Sequence, residues 1–177
     1  MIQRVLTLLL ILSVSLFSRQ YDETLLNIEA KLFPKIAVLE EHVKQKESDT
    51  LLFAIVHDRV DLEVAKKFKL KILENYPSRL RNKKINVVLK RSDESLDRAV
   101  DVLIFLYLED ETISSYASWA NRHNILSFSY DPSDLYHGVV ASLYLGKSTK
   151  PYLNAEIIKK YNFTFDPYLL RLSRILN

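Results

Sequence analysis

Val100-Asp101-Val102-Leu103-Ile104-Phe105-Leu106-Tyr107-Leu108 is almost unbroken apolar sequence, rich in β-branched and aromatic residues, and Glu109-Asp110-Glu111 ends it. A strand with one wet face alternates apolar and polar residues. This stretch does not alternate, so both of its faces should be covered. That is the habit of a central strand in a sheet with helices on both sides. Thr50-Leu51-Leu52-Phe53-Ala54-Ile55-Val56 repeats the pattern and stops at His57-Asp58.

Between the two lie the parts of a crossover unit. Leu62, Ala65, Phe68, Ile72, Leu73 and Tyr76 mark one face of a helix that Pro77 terminates, and Lys83 to Arg91 reads as a strand. Strand, helix, strand at this length is a βαβ unit, with a right-handed crossover. After the Val100–Leu108 strand, Thr112 to His123 reads as a helix and Ile125 to Tyr130 as the next strand, giving a second unit. Asp131-Pro132-Ser133-Asp134 is turn chemistry. Val139 to Leu145 and Lys150 to Leu153, joined by Gly146-Lys147-Ser148, read as a closing hairpin. A short helix from Asn154 to Tyr161 follows, then one from Pro167 to Leu176 with Leu169, Leu170, Leu172 and Ile175 inward.

Upstream, Leu25, Ile28, Leu32, Ile36, Leu39 and Val43 fall at helical spacing, with Glu29 among the polar positions. One amphipathic helix over Asp22 to His42 is expected, kinked or split at Pro34. Before it, Met1-Ile2-Gln3-Arg4 is a charged start, Val5 to Phe17 an uncharged apolar run, and Ser18 a small residue before polar sequence. This is the layout of a secretory signal peptide over residues 1–18. The run is shorter than the roughly 20 residues of a spanning helix. An uncleaved anchor is the alternative, because Ser is less favoured than Ala at a cut. The expected location is a bacterial periplasm, with residues 19–177 as a single domain.

The 177 residues are 48% apolar and 27% charged, which suits one domain with a real core. With no cysteine, disulfides, thiolate metal sites and cysteine nucleophiles are excluded; with only two glycines, so is a glycine-rich phosphate cradle. The formal net charge of +3 does not by itself argue for nucleic acid, and the expected export argues against that target. Lys66 to Lys84 is a basic half and Asp93 to Glu111 an acidic one; these read as solvated surface, or as a charged docking surface for a membrane protein or anionic head groups.

The candidate chemistry is sparse. Asp131, Asp134 and His137 have the residue types to hold a cation, but an Asx turn explains them better, and no metal is expected. Ser129, Asp131 and His137 have those of a hydrolase triad, without the nucleophile elbow that would expose the serine. Tyr130, Asp131, Tyr136 and His137 follow strand ends, where open α/β sheets usually bind ligands, and are the candidate ligand or partner residues. Asn154 is expected to cap the helix beginning at Ala155.

The C-terminal third also resembles a known family. Ile125-Leu126-Ser127-Phe128-Ser129, then Gly138-Val139-Val140, then Tyr152-Leu153-Asn154-Ala155-Glu156, and the leucine-rich Tyr168 to Leu176, resemble the end of the YfiR family of exported bacterial regulators. Better-known members carry cysteine pairs, which this chain lacks. The resemblance implies a periplasmic, non-enzymatic signalling regulator without a cofactor. Its partner would be an inner-membrane diguanylate cyclase, in a cyclic di-GMP pathway, or a histidine kinase; a homodimer is also compatible. A competing resemblance is to one lobe of transporter substrate-binding proteins, through the Asp-Pro turn, Gly138-Val139 and Asn154. It implies a small-ligand binding module. The fold expected either way is α/β, a three-layer Rossmann-like sandwich with a mostly parallel sheet of five or six strands and a C-terminal antiparallel hairpin.

Overall fold

The computed structural model describes residues 20–176; the export segment expected over residues 1–18 lies outside them. Helices α1 (Glu23–Ala37) and α2 (Glu41–Gln45) lead into β1 (Thr50–His57), α3 (Leu62–Asn75) and β2 (Lys84–Arg91). Then come β3 (Val102–Phe105), α4 (Asp110–Arg122), β4 (Leu126–Ser129) and a 3-10 turn over Pro132–His137. The chain closes with β5 (Ala141–Leu145), β6 (Thr149–Asn154), α5 (Ala155–Tyr161), α6 (Pro167–Leu172) and β7 (Arg174–Leu176). The strands form one sheet in the order β2-β1-β3-β4-β5-β6-β7. Every neighbouring pair is parallel except β5 and β6.

The opening stretch is buried on both faces. Val102, Ile104 and Leu106 join one core with Leu26, Ala30 and Phe33 of α1 and Phe68 and Ile72 of α3. Leu103 and Phe105 point the other way, against Ile113, Ala117 and Ala120 of α4. Strand side chains alternate between faces, so this split means the sheet is clad by helices above and below. Only Val102–Phe105 are paired as strand. Leu106 and Tyr107 run on past the ladder, and this brings Tyr107 to the sheet's carboxyl edge.

Three sequence expectations change. The apolar stripe of α1 is rotated: Leu26, Ala30, Phe33 and Ala37 are buried with Ile36 of the expected stripe, while Leu25, Ile28 and Leu32 lie at its margin. The helix also stops at Ala37, although Pro34 lies within it. The amides of Leu39 and Glu40 turn back to Ile36 and Ala37, and Glu40 then caps α2 by accepting from the Val43 amide at 3.0 Å. At the other end, the helix expected over Pro167–Leu176 ends at Leu172. Arg174–Leu176 instead pair with Tyr152–Asn154 as a seventh strand, because the outer edge of β6 offers unpaired backbone groups. Of the leucines and isoleucine read as inward there, only Leu169 is buried; Leu170, Leu172 and Ile175 are 39%, 48% and 39% exposed.

Candidate functional site

Strand order reverses direction between β1 and β3, since β1 is followed on one side by β2 and on the other by β3. In open α/β sheets the crevice outside the carboxyl ends at such a reversal is the usual ligand position. Here the residues at the strand ends are His57, the last of β1, and Asp58 after it, Leu106 and Tyr107 after β3, and Tyr130 and Asp131 after β4.

Most of this edge is tied down. The buried His57 donates through Nδ1 to the Asp58 carbonyl at 2.8 Å. The Ser92 hydroxyl donates to the Asp58 carboxylate. Over β3 and β4 lies the chain segment that enters α1. Tyr107 donates its amide to the Tyr21 hydroxyl at 3.0 Å, and Asp22 donates its amide to the Tyr130 hydroxyl at 2.8 Å. The three rings pack as a tight triangle, with centroids 5.0 Å (Tyr21–Tyr107), 4.9 Å (Tyr21–Tyr130) and 5.0 Å (Tyr107–Tyr130) apart. Burial raises the Tyr107 and Tyr130 hydroxyl pKa values, so both stay neutral donors and acceptors.

Behind the tyrosines is Glu29. Asp22, Leu26, Glu29 and Phe33 recur at helical spacing on the sheet-facing side of α1. Glu29 is fully buried, and among the described residues neither carboxyl oxygen has a hydrogen-bond partner. Desolvation pushes its pKa well above the ordinary carboxyl value, and its charge, where present, is felt at Tyr107 and Tyr130. Sequence reading placed Glu29 on the wet face. The signal it overlooked was the second stripe, Leu26, Ala30, Phe33 and Ala37, which carries Glu29 with it.

The four candidate residues part company. Tyr130 is buried in the tyrosine triangle. Asp131 accepts from the Ser133 amide (2.8 Å) and hydroxyl (2.7 Å), capping the 3-10 turn. Tyr136 is 73% exposed. His137 faces α4, its Nδ1 3.4 Å from the Ser114 hydroxyl and its Nε2 3.5 Å from the Asp110 carboxylate. No triad assembles from Ser129, Asp131 and His137: the buried Ser129 hydroxyl donates to Asp134. No cluster of three or more His, Asp or Glu side chains able to hold a metal occurs among the described residues.

Asp134 is also buried, and desolvation pushes its pKa up to about 6 despite the Ser129 bond, which acts the other way. An acid with a raised folded pKa adds stability that is whole below its unfolded pKa and lost as pH climbs to the folded one. The loss from Asp134 should therefore fall between about pH 4 and pH 6, and amount to about 3 kcal/mol at most. Asp134→Asn keeps an acceptor for Ser129. Urea unfolding across that pH range should show the variant's stability changing less than the wild type's.

Asn154 ties the turn to the last helical layer. Its Oδ1 accepts from the Ile157 amide at 3.1 Å, capping α5, and its Nδ2 donates to the buried Leu135 carbonyl at 2.7 Å. Asn154→Ala removes the cap and strands that carbonyl, so about 2 kcal/mol of stability should go. Asn154→Ser keeps a capping oxygen alone and should lose less. Equal loss in both variants, read by chemical denaturation, would contradict the shared role.

No family profile matches the sequence, and no curated protein matches it. Solved structures do share its fold. A conserved domain protein from Vibrio cholerae O1 biovar El Tor aligns with a TM-score of 0.56 at 12% identity, over 86% of this chain and 60% of that one. The ABC domain in complex with L-Trp from Streptococcus pneumonia aligns with a TM-score of 0.52 at 8% identity, over 85% of this chain and 60% of that one. The chain thus spans 60% of the length of each. Together with the sheet order and helical layers, these alignments define a Rossmann-like α/β domain.

Proposed function

We propose that this chain is a non-enzymatic exported regulator. It works by docking on the periplasmic part of an inner-membrane signalling protein, a diguanylate cyclase or a histidine kinase. The observation that carries the reading is the filled crevice. At the edge where this fold usually receives small molecules, Tyr21 packs on Tyr107 and Tyr130 and holds the Tyr107 amide. The likeness of Asn124–Asn177 to the YfiR family supplies the choice of partner. Apolar side chains that a protein partner could cover are found instead on α6 and β7, where Tyr168, Leu170, Leu172 and Ile175 are exposed. The test is recovery from membranes of the source bacterium with the tagged chain as bait. The wild type should recover a cyclase or kinase, and Leu172→Asp with Ile175→Asp should recover far less. Wild-type bait that captures neither class of enzyme would end the proposal.

A second reading is favoured by Glu29. A buried carboxyl without a partner, next to tyrosines at a strand-end crevice, could meet the ammonium of a small ligand that displaces Tyr21. The complex of the pneumococcal ABC domain with L-Trp is a precedent for this fold in amino-acid binding. Thermal shifts with a set of amino acids and amines, absent in Glu29→Gln, are expected on this reading. A flat response in the wild type would retire it.

A further inference from the structure

The C-terminal end of the sheet carries an excess of positive charge. Residues 138–176 contain six Lys and Arg against Glu156 and Asp166, an excess of four, whereas the whole chain carries +3. The antiparallel hairpin and β7 gather part of this charge on one face. Tyr144 stands opposite Lys150, Ser142 opposite Tyr152, and Tyr152 opposite Arg174, and directly paired residues project from the same side of a sheet. The ring contacts agree with that register. The Arg174 guanidinium lies 3.9 Å from the Tyr144 ring centre and 5.5 Å from that of Tyr152, and the two rings meet edge-on at 6.1 Å.

Beside the Arg174–Tyr144 stack is a groove of about 350 Å³, lined by Tyr144, Lys147, Ser148, Lys150, Ser173 and Arg174. Its lining holds three cations and three hydroxyls but no carboxylate. Among the described residues, none of the three cations forms an ion pair. Several cations of the parallel half do have such partners: Lys46 pairs with Asp101, Lys66 with Glu63, Lys67 and Lys71 with Glu23, and Arg79 with Asp49.

We infer that this groove is a binding site for a phosphate-bearing anion. Three like charges around one groove, without a counterion among the described residues, repel one another and attract an anion. Stacking on Tyr144 holds the guanidinium flat, so its donor fork loses less freedom on meeting phosphate oxygens than a free arginine would. Lys147 and Lys150 add point charges on the hairpin. The volume lies within the range of small-molecule sites, enough for a phosphoryl group and part of what it is attached to. The same chemistry is offered by a soluble phosphate ester and by a phospholipid head group. This site is separate from the strand-end crevice and does not depend on the regulator reading.

The test uses the purified chain with two probes, inorganic pyrophosphate and phosphatidylcholine vesicles with or without phosphatidylglycerol. Binding of pyrophosphate should move the amide resonances of Lys147 to Lys150 and of Ser173 and Arg174, and should weaken as salt is raised. Lys150→Gln with Arg174→Gln should reduce affinity at least about tenfold, while Lys69→Gln, equally cationic but on α3, should not. Arg174→Lys keeps the charge and loses the stacked fork, so its affinity should fall between the two. Pyrophosphate binding without a preference for anionic vesicles identifies a soluble phosphate ester as the ligand class; vesicle binding that needs phosphatidylglycerol and these side chains identifies a head group. The inference is overturned if neither probe binds, or if the double variant and Lys69→Gln bind as the wild type does.

Discussion

Phe33→Ala should remove about 3–5 kcal/mol of folding stability, measured by urea or guanidinium unfolding. Phe33 is fully buried, stacks on Phe128 of β4 with ring centres 4.7 Å apart, and meets Phe68 of α3 edge-on at 6.4 Å. It is thus where α1, α3 and the sheet are pinned together. Truncation loses both its own transfer from water and the contacts of two other rings, and helices on either side limit how far the gap can close. Against a total stability of roughly 5–15 kcal/mol, such a loss brings the domain near its threshold. It should also loosen the entrance to α1, so that the Tyr21 and Tyr130 contacts become exposed to solvent. A loss under about 1 kcal/mol would mean that α1 is not fixed over β4 in the way the ring geometry implies.

Glu29→Met should act in the opposite direction. Methionine has similar length and no polar atom to leave unpaired, so the variant should be more stable by about 1–3 kcal/mol even where the carboxyl is neutral. The gain should then grow with pH. Burial raises the folded pKa of Glu29, so below the unfolded carboxyl pKa both states hold the proton and no linkage penalty arises. Above it the unfolded state ionises first, and wild-type stability falls by about 1.4 kcal/mol per pH unit until the folded pKa is reached. Unfolding curves at pH 4, 5.5 and 7 for both proteins test this. An equal gain at all three would show that Glu29 does not titrate differently on folding. A residue that lowers stability in this way is one that function is expected to retain, and its place behind Tyr107 and Tyr130 suits either a ligand or a switch.

The layers of this fold were legible because the physics that sets them is local. A strand with no wet face at Val102–Phe105 can only be central, and Leu51–Val56 repeats the signal. The site was far less legible. Tyr21 and Tyr107 meet across 86 residues, and Asp22 and Tyr130 across 108, so no spacing in the sequence announces the cluster. Glu29 was misplaced because α1 carries two overlapping apolar stripes, and only the sheet decides which is buried. Arg174-Ile175-Leu176 read as helix because leucine-rich sequence after Pro167 has helical periodicity; the open edge of β6, a tertiary feature, makes it strand. His137 and Tyr136 are adjacent in sequence, yet the 3-10 turn sends one toward Ser114 and leaves the other in solvent.

The docking of α1 on strands that come much later in the chain bears on how the molecule is made. A ribosome or translocation channel delivers the N-terminal end first, so Leu26 and Phe33 emerge well before Phe128 and Tyr130 exist to receive them. Until then the helix is a greasy ribbon without a floor, and long loops must close before it is rewarded. Folding should therefore be slow and late, with the nascent chain dependent on a holding chaperone. On the proposed export route, which threads the chain through a membrane unfolded, that delay would be an advantage.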